Sequence, residues 1–212
     1  MTGIQPLMRS SEATIHGAKY HLVAFYFPDK AVPTPWDAYY NYIALANFYL
    51  CPKQVTLSIN SITAKFNSAE AAFQATKWWS HPLILQQFEN EPTGKAAFDY
   101  KQSLLKGAKA GLNPGPDYGY AGLGPTAAMD FVLAAKYSDA AFASILLGTG
   151  DAYLLEHNEK TGRDNIWSDN FDGTGQNLLG ISLMNLRQKL GGKGAPAGNY
   201  VVADFTGQVK VV

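Results

Sequence analysis

The chain has 212 residues, a formal net charge of 0 and a pI near 6.9. This length suffices for one domain with a sizeable core, and the neutral balance argues against proteins that bind nucleic acid or anionic membranes through a broad basic surface. A single cysteine, Cys51, excludes an internal disulfide and is typical of a reducing compartment. The sequence contains no apolar run of about 18 residues and no apolar signal segment, so we predict a cytoplasmic protein that does not enter a membrane.

The first predicted elements are a strand and a β-hairpin. Residues 1–20 are polar and mixed in composition, and we interpret them as a loosely held lead-in. The apolar run HLVAFYF, residues 21–27, has the length of a strand. Val55–Ile59 and Ile62–Phe66 flank the turn residues Asn60-Ser61, which is the pattern of a hairpin.

A helix is predicted to begin after Asn67 and to run to about Trp79. The sequence Asn67-Ser68-Ala69-Glu70 is a capping-box pattern, because a cap residue is followed three positions later by Glu. Four side chains are predicted to face the core: Ala69, Ala72, Phe73 and Thr76. Glu70, Gln74 and Lys77 share a polar stripe, which is either a solvated face with Glu70 serving the cap or part of a site.

The rest of the chain is predicted to be mostly helical. Helices are expected at about 81–89, 94–109, 125–137, 138–147 and 176–190, the last with Leu179, Leu183, Leu186 and Leu190 on one face. The Gly- and Pro-rich stretch 111–125 is long for a structureless connection, which indicates a lid or binding loop. After Gly191 a flexible linker leads to residues 200–212, predicted as a strand or terminal hairpin. The fold class is therefore α+β, predominantly helical, with a small antiparallel sheet or hairpin.

Several common catalytic and nucleotide-binding motifs are absent from the sequence. The four histidines are scattered and form no cluster with Cys51, so we expect no metal site, and no pattern calls for a cofactor. There is no GxSxG element and no Walker A motif. The turn GTGQNLLG, residues 173–180, opens a helix and presents backbone N–H groups suited to an anion such as phosphate. The alternative is an ordinary tight turn.

Carboxylates and one Trp remain as candidates for chemistry. The set consists of Glu70, Asp151, Asp164, Asp169 and Asp172, with Gln74, Asn177, Lys77 and Trp167. Acids with a stacking aromatic residue suit cleavage through a sugar cation, because a carboxylate can stabilise the positive charge on a ribose and activate water. The spacing alone does not single out that reaction.

Five sequence blocks resemble one known family. SAEAAFQATKWW (residues 68–79) resembles the S-x-E-H-x-[FY]-Q-A-x-K-[FW] helix of the NADAR superfamily, the YbiA-like N-glycosidases. LANFY (45–49), VAFYF (23–27) and AAMDFVLAAKYSD (127–139) are similar to further elements of that family. The closing block, LLGTGDAYLLEHN followed by DNIWSDNFDGTGQNLLGISLMNLRQKL, matches the most positions. The resemblance spans about residues 21–190, which we take as a NADAR/YbiA-like domain between the lead-in and a tail at 191–212.

The resemblance implies an N-glycosidase of ribose derivatives. Members of the family act on phosphorylated riboflavin-pathway intermediates or remove ADP-ribose from modified guanine in nucleic acid. The catalytic residues implied by position are Glu70, Asp164 and Lys77, and the substrate-binding residues are Asn47, Phe48, Gln74, Trp167, Gly175 and Asn177. Glu70 or Asp164 would steady the ribosyl cation or activate water, Lys77 would meet phosphate or orient a carboxylate, and Trp167 would stack on the base.

The chain also departs from the family pattern. Ala71, Ala46 and Ser168 stand where the family has His, Ser and Gly, and residues 111–124 replace an Arg-containing stretch, with Tyr120 as its candidate aromatic substitute. These departures keep open the alternative of a non-catalytic nucleotide- or ADP-ribose-binding relative. The neutral charge favours a small nucleotide-like substrate over ADP-ribosylated nucleic acid. The sequence leaves the oligomeric state open.

Overall fold

The structure is a computed structural model that describes residues 8–27 and 32–211. Its strands are β1 (Ser11–Ile15), β2 (Ala18–Phe25), β3 (Leu50–Ile59), β4 (Ile62–Ser68) and β5 (Tyr153–Glu156). Its helices are α1 (Pro35–Tyr40), α2 (Ala69–Ala75), α3 (Pro82–Asn90), α4 (Gly94–Lys109), α5 (Pro125–Lys136), α6 (Ala140–Gly148), α7 (Leu178–Lys189) and α8 (Val202–Thr206), with short 3₁₀ turns at Ile43–Leu45 and Thr76–Trp78. Helix, with the 3₁₀ turns included, accounts for 41% of the described residues and strand for 17%, which confirms the predominantly helical α+β fold.

The chain divides into two compact units. The first comprises Met1–Ala46 and Ala143–Val212, and the second comprises Asn47–Phe142. No single helix in the described part of the chain is long and apolar enough to cross a membrane. Helices α5 and α6 reach that length and apolar composition only when they are taken together, and they are bent by 110° relative to each other.

The first unit contains a three-stranded sheet in the order β1-β2-β5. Strand β2 pairs antiparallel with β1 and parallel with β5, so the sheet is mixed. Four successive residues of β2, 22–25, are fully buried, as expected for a strand covered on both faces. The interpretation of residues 1–20 as a loosely held lead-in is wrong for Ser11–Ile15, because every second residue of this strand is buried against the sheet; residues 1–7 lie outside the described part.

The second unit is built on the predicted hairpin. Strands β3 and β4 pair antiparallel with Ile59 opposite Ile62, which confirms the two-residue connection. Asn60 and Ser61 both have positive φ, 50° and 65°, as a type I′ turn requires. Helix α2 follows β4 directly and packs against β4, α3, α4 and α5, so it is the central helix of this unit.

The N-terminus of α2 differs from the predicted capping box. Ser68, rather than Asn67, is the cap, and its hydroxyl accepts a hydrogen bond of 3.1 Å from the Ala71 amide. Asn67 is still in strand β4 and donates its side-chain amide to the Glu91 carbonyl. Asn and Ser both cap helices well. Because strand β4 continues through Asn67, the helix begins one residue later and Ser68 becomes the cap. Glu70 is therefore one position too early to act as the Glu of a capping box.

Helix α7 and the C-terminal tail also depart in part from expectation. Leu179 and Leu183 are fully buried as predicted, but Leu190 at the end of the stripe is 38% exposed. Residues Val202–Thr206 form a helix instead of the predicted strand. The Asp204 carboxylate accepts a hydrogen bond from the Val201 amide, and the Phe205 ring stacks 3.8 Å from the Tyr153 ring. These tertiary and capping contacts outweigh the β propensity of the valines.

Candidate functional site

The polar stripe of α2 continues into the 3₁₀ turn Thr76–Trp78 and forms a series of hydrogen bonds that is buried at Glu70 and Gln74 and half-buried at Lys77. Glu70 and Gln74 are each 6% exposed. The Gln74 Nε2 donates to Glu70 Oε1 at 2.9 Å, and the Lys77 Nζ donates to Gln74 Oε1 at 2.6 Å. The i, i+4 and i+7 spacing places the three side chains along one helical face, so the carboxylate, the amide and the ammonium follow one another. The solvated-face interpretation of this stripe is therefore wrong.

Burial sets the proton affinity of Lys77. It lowers the pKa of this side chain to about 8; the Glu70 carboxylate opposes that change and Lys101 adds to it. An ammonium with a pKa near 8 is mostly protonated at pH 7, yet it gives up a proton far more readily than a solvated lysine. Lys77 is thus suited to proton transfer near neutral pH.

An aromatic pair lies beside the ammonium group. The Phe73 and Tyr120 rings stack with their centroids 5.3 Å apart. The Lys77 Nζ lies 5.4 Å and 5.3 Å from the two centroids, within the range of a cation–π interaction. Tyr120 belongs to the Gly- and Pro-rich stretch 111–124, which the Asp117 amide anchors to the Lys77 carbonyl at 2.7 Å. This stretch therefore places an aromatic ring, Tyr120, beside Lys77.

Asn47 lies next to Glu70 through the backbone. The Asn47 carbonyl accepts a hydrogen bond of 2.8 Å from the Glu70 amide. Its side chain is 6% exposed; Nδ2 contacts the Met129 sulfur at 3.4 Å, and Oδ1 has no hydrogen-bond partner among the described residues. A buried amide oxygen without a donor is unfavourable by about 1–3 kcal/mol and is suited to accept a hydrogen bond from a ligand. Phe48 packs its ring 5.9 Å from Phe98.

The other predicted site residues belong to the first unit. Asp164 Oδ1 accepts hydrogen bonds of 2.9 Å from the amides of Ile166 and Trp167, an arrangement typical of a turn. The Trp167 side chain is half-buried. The structure thus groups Asn47, Phe48, Glu70, Gln74 and Lys77 in the second unit, and Asp164, Trp167, Gly175 and Asn177 in the first.

The glycine-rich turn before α7 uses its amides internally. The amides of Gly173 and Gly175 both donate to the Asp169 carbonyl, and those of Gln176, Asn177 and Leu178 donate to carbonyls of residues 165–168. A Cβ at position 175 would overlap the Ser168 carbonyl oxygen, which explains the glycine sterically. With these donors occupied, the structure favours the tight-turn interpretation over a phosphate-binding turn.

Asn177 connects α7 to strand β5. It has a φ of 50°, a left-handed conformation that Asn tolerates, and it is fully buried. Its Oδ1 accepts a hydrogen bond of 3.0 Å from the Glu156 amide, and its Nδ2 donates to the Leu154 carbonyl at 2.9 Å. All of these contacts are structural, so the implied role of Asn177 in substrate binding stays a prediction.

A buried His157–Asp169 pair was missed by the sequence analysis. The His157 Nδ1 lies 2.6 Å from Asp169 Oδ2, and the two side chains are 7% and 0% exposed. Asp169 also accepts hydrogen bonds from the amides of Asn158 and Phe171 and from the Thr206 hydroxyl. No spacing rule connects these residues; the path of the chain after β5 brings them together. In the described residues, no group of three or more His, Cys, Asp or Glu side chains could hold a metal ion.

Comparison with known proteins supports the fold. No protein-family model matches this chain, and no curated protein matches it. The solution structure of the Escherichia coli protein YbiA is similar, with 21% identity and a TM-score of 0.50, over 80% of this chain and 86% of that chain. This likeness shows a YbiA-like fold and confirms the resemblance noted in the sequence at the level of architecture.

Proposed function

We propose that this chain, which has a YbiA-like fold, hydrolyses an N-glycosidic bond between a base or amine and a ribose, carried as ribose phosphate or ADP-ribose. The observation that carries the proposal is the series of hydrogen bonds that joins Glu70, Gln74 and Lys77 along α2 and the 3₁₀ turn that follows it. It combines a carboxylate and an ammonium of lowered pKa, which are the two groups that cleavage through a ribosyl cation needs.

Glu70 acts on the sugar in this mechanism. As the bond from C1′ to nitrogen breaks, positive charge develops on C1′ and the ring oxygen. A carboxylate held in a poorly solvated position stabilises that charge strongly, because the local dielectric is low. The same carboxylate then takes a proton from the water that adds to C1′.

Lys77 acts on the leaving group. The departing nitrogen gains electron density and needs a proton to leave as a neutral base or amine. A protonated Lys77 with a pKa near 8 is an efficient donor at neutral pH, since general acids work best when their pKa is close to the working pH. Gln74 holds both groups in place, and the Phe73–Tyr120 pair offers an apolar face to the substrate.

A small phosphorylated, nucleotide-like molecule is the favoured substrate class. The chain has a formal net charge of 0, whereas binding of nucleic acid draws on many phosphate contacts with a basic surface. ADP-ribosylated nucleic acid is the competing substrate, and the experiment below separates the two.

The test is release of free ribose product from a panel of N-glycosides by wild type and by Glu70→Gln. The panel consists of ADP-ribosylated guanosine, ADP-ribosylated DNA, NAD and a ribosylaminopyrimidine phosphate. Glu70→Gln preserves size and removes the charge, so kcat/KM should fall by about 10²- to 10⁴-fold. Asp130→Asn, which removes an exposed carboxylate from α5 of the same unit, is the matched control and should stay within about twofold of wild type.

Two outcomes would overturn the proposal. Full activity in a folded Glu70→Gln protein would remove Glu70 from the mechanism. Tight binding of one panel member without cleavage of any would identify a non-catalytic nucleotide- or ADP-ribose-binding relative. Circular dichroism of each variant would separate loss of chemistry from loss of fold.

A further inference from the structure

The first unit contains a cavity of about 410 Å³, and none of the residues that line it belongs to the Glu70–Gln74–Lys77 group. It is lined by residues 19–21 of β2, by Asp151 and by residues 193–197 after α7. The volume falls within the range of about 300–1,000 Å³ typical of small-molecule sites. Most of the lining lies outside residues 21–190, so the family resemblance assigns it no role.

Two lysines, Lys19 and Lys193, and one carboxylate, Asp151, line this cavity. The Lys19 Nζ lies 3.0 Å from a Glu12 oxygen, and the His21 Nδ1 lies 3.0 Å from an Asp151 oxygen. Lys193 lines the cavity and makes no ion pair with any described residue. The ammonium of Lys193 is therefore available to a ligand.

A buried guanidinium lies behind the loop that forms one wall. Arg187 is 0% exposed and donates to the carbonyls of Lys193 and Gly194 at 2.6 Å and 2.9 Å. Its remaining hydrogen bonds go to the Thr149 hydroxyl and the Ala152 carbonyl, both neutral acceptors. Within residues 8–27 and 32–211, no carboxylate lies at ion-pair distance from Arg187. The Asp151 carboxylate, which lines the cavity, interacts with Arg187 at longer range. Because Arg187 has no directly bonded anion, its buried positive charge favours a negative group in the adjoining cavity.

The same loop offers backbone donors. The amides of Gly194, Ala195 and Ala197 donate no hydrogen bond to any residue that the structure describes. Arg187 binds the carbonyl side of this loop and so fixes its backbone. Fixed N–H donors next to a lysine are the combination with which proteins bind phosphate.

We propose that this cavity binds the phosphate group of a small phosphorylated molecule, with Lys193, Lys19 and the loop amides as its ligands. Lys19 would share its charge between Glu12 and the phosphate. This proposal does not depend on the N-glycosidase chemistry proposed above.

The test is calorimetric titration of the full chain with ribose 5-phosphate, with inorganic phosphate and with neutral ribose. We expect saturable binding of the two phosphates and none of ribose. Lys193→Ala and Lys19→Ala should each weaken binding by about tenfold, the range of one charge-assisted hydrogen bond. Lys189→Ala removes an exposed lysine of α7 that does not line the cavity, and it should leave the affinity unchanged.

The outcomes decide the proposal independently of catalysis. Absence of saturable phosphate binding, or equal weakening by Lys189→Ala and Lys193→Ala, would overturn it, since the second result would mean general charge attraction. If Lys193→Ala and Lys19→Ala both remained folded and bound ribose 5-phosphate as tightly as wild type does, the phosphate would bind elsewhere and the cavity would have no such role.

Discussion

Two regions of this chain concentrate polar side chains, and they use them differently. On α2 and the 3₁₀ turn that follows it, the Gln74 side chain is hydrogen-bonded to both Glu70 and Lys77. In the segment 157–177, carboxylates bond to the backbone. Asp164, Asp169 and Asp172 each accept hydrogen bonds from main-chain amides within or next to this segment.

The difference follows from what each backbone needs. A helix satisfies its own interior amides, so buried polar side chains on α2 are left to bond with each other or with a ligand. An irregular segment cannot do so, and its Asp side chains take over that role. A carboxylate that accepts hydrogen bonds from fixed amides holds the backbone in place. We therefore assign the chemistry to Glu70 and Lys77, and we assign to the aspartates of the segment the role of fixing its backbone.

Replacement of Lys77 tests the first region of this comparison, and its expected effect is larger than that of any replacement in the segment 157–177. Lys77→Met keeps a long unbranched side chain and removes the proton donor, so kcat/KM should fall by about 10²- to 10³-fold. In wild type, rising pH through about 8 deprotonates Lys77, and kcat/KM should then fall about tenfold for each further pH unit. The measurement is a pH profile of kcat/KM on the best panel substrate.

The pH profile of the variant provides the control. Lys77→Met should lose the decline above pH 8, because the group that titrates is gone, while Lys109→Met at the end of α4 should keep the wild-type profile. A decline that persists unchanged in Lys77→Met would show that another group titrates there.

Replacement of Asp169 tests the role of the carboxylates in the segment 157–177. This carboxylate is fully buried and accepts from His157, Thr206 and two backbone amides. Asp169→Asn places an NH₂ group where acceptors are required, and the free energy of unfolding should fall by about 2–3 kcal/mol. Urea denaturation measures this change. Asp172→Asn, at the surface of the same segment, should stay close to wild type; equal effects of the two variants would contradict the structural role of Asp169.

The sequence predicted the regular elements well wherever local chemistry decides them. Asn60-Ser61 identified the hairpin because two adjacent left-handed residues suit very few turns. The stop at Gly191 and the proline at position 125 placed the boundaries of α7 and α5 to within about two residues. These signals act over a few neighbouring residues, so they do not depend on the tertiary structure.

The failures concern features that depend on distant partners. Residues 11–15 became a strand because β2 offered an edge, and α8 formed around the Phe205–Tyr153 stack. The sequence left the polar stripe open between a solvated face and a site, because the helices that pack against α2 lie later in the sequence. The candidate site was predicted through Glu70, Gln74 and Lys77 by resemblance, whereas the contact of Tyr120 with Lys77 required the structure.

Replacement of Asp164 carries the smallest expected effect and is the sharpest test of the division between the two regions. The family resemblance makes Asp164 catalytic, whereas its Oδ1 accepts the amides of Ile166 and Trp167 in the structure. Asp164→Asn retains a side-chain oxygen at this position and removes the charge, so a turn-forming role predicts that kcat/KM stays within about threefold of wild type. A fall comparable to that of Glu70→Gln, about 10²-fold or more, would restore Asp164 to the chemistry, because only a charge that acts on the reaction is that sensitive to neutralisation. The carboxylates of the segment would then serve the backbone and the substrate together.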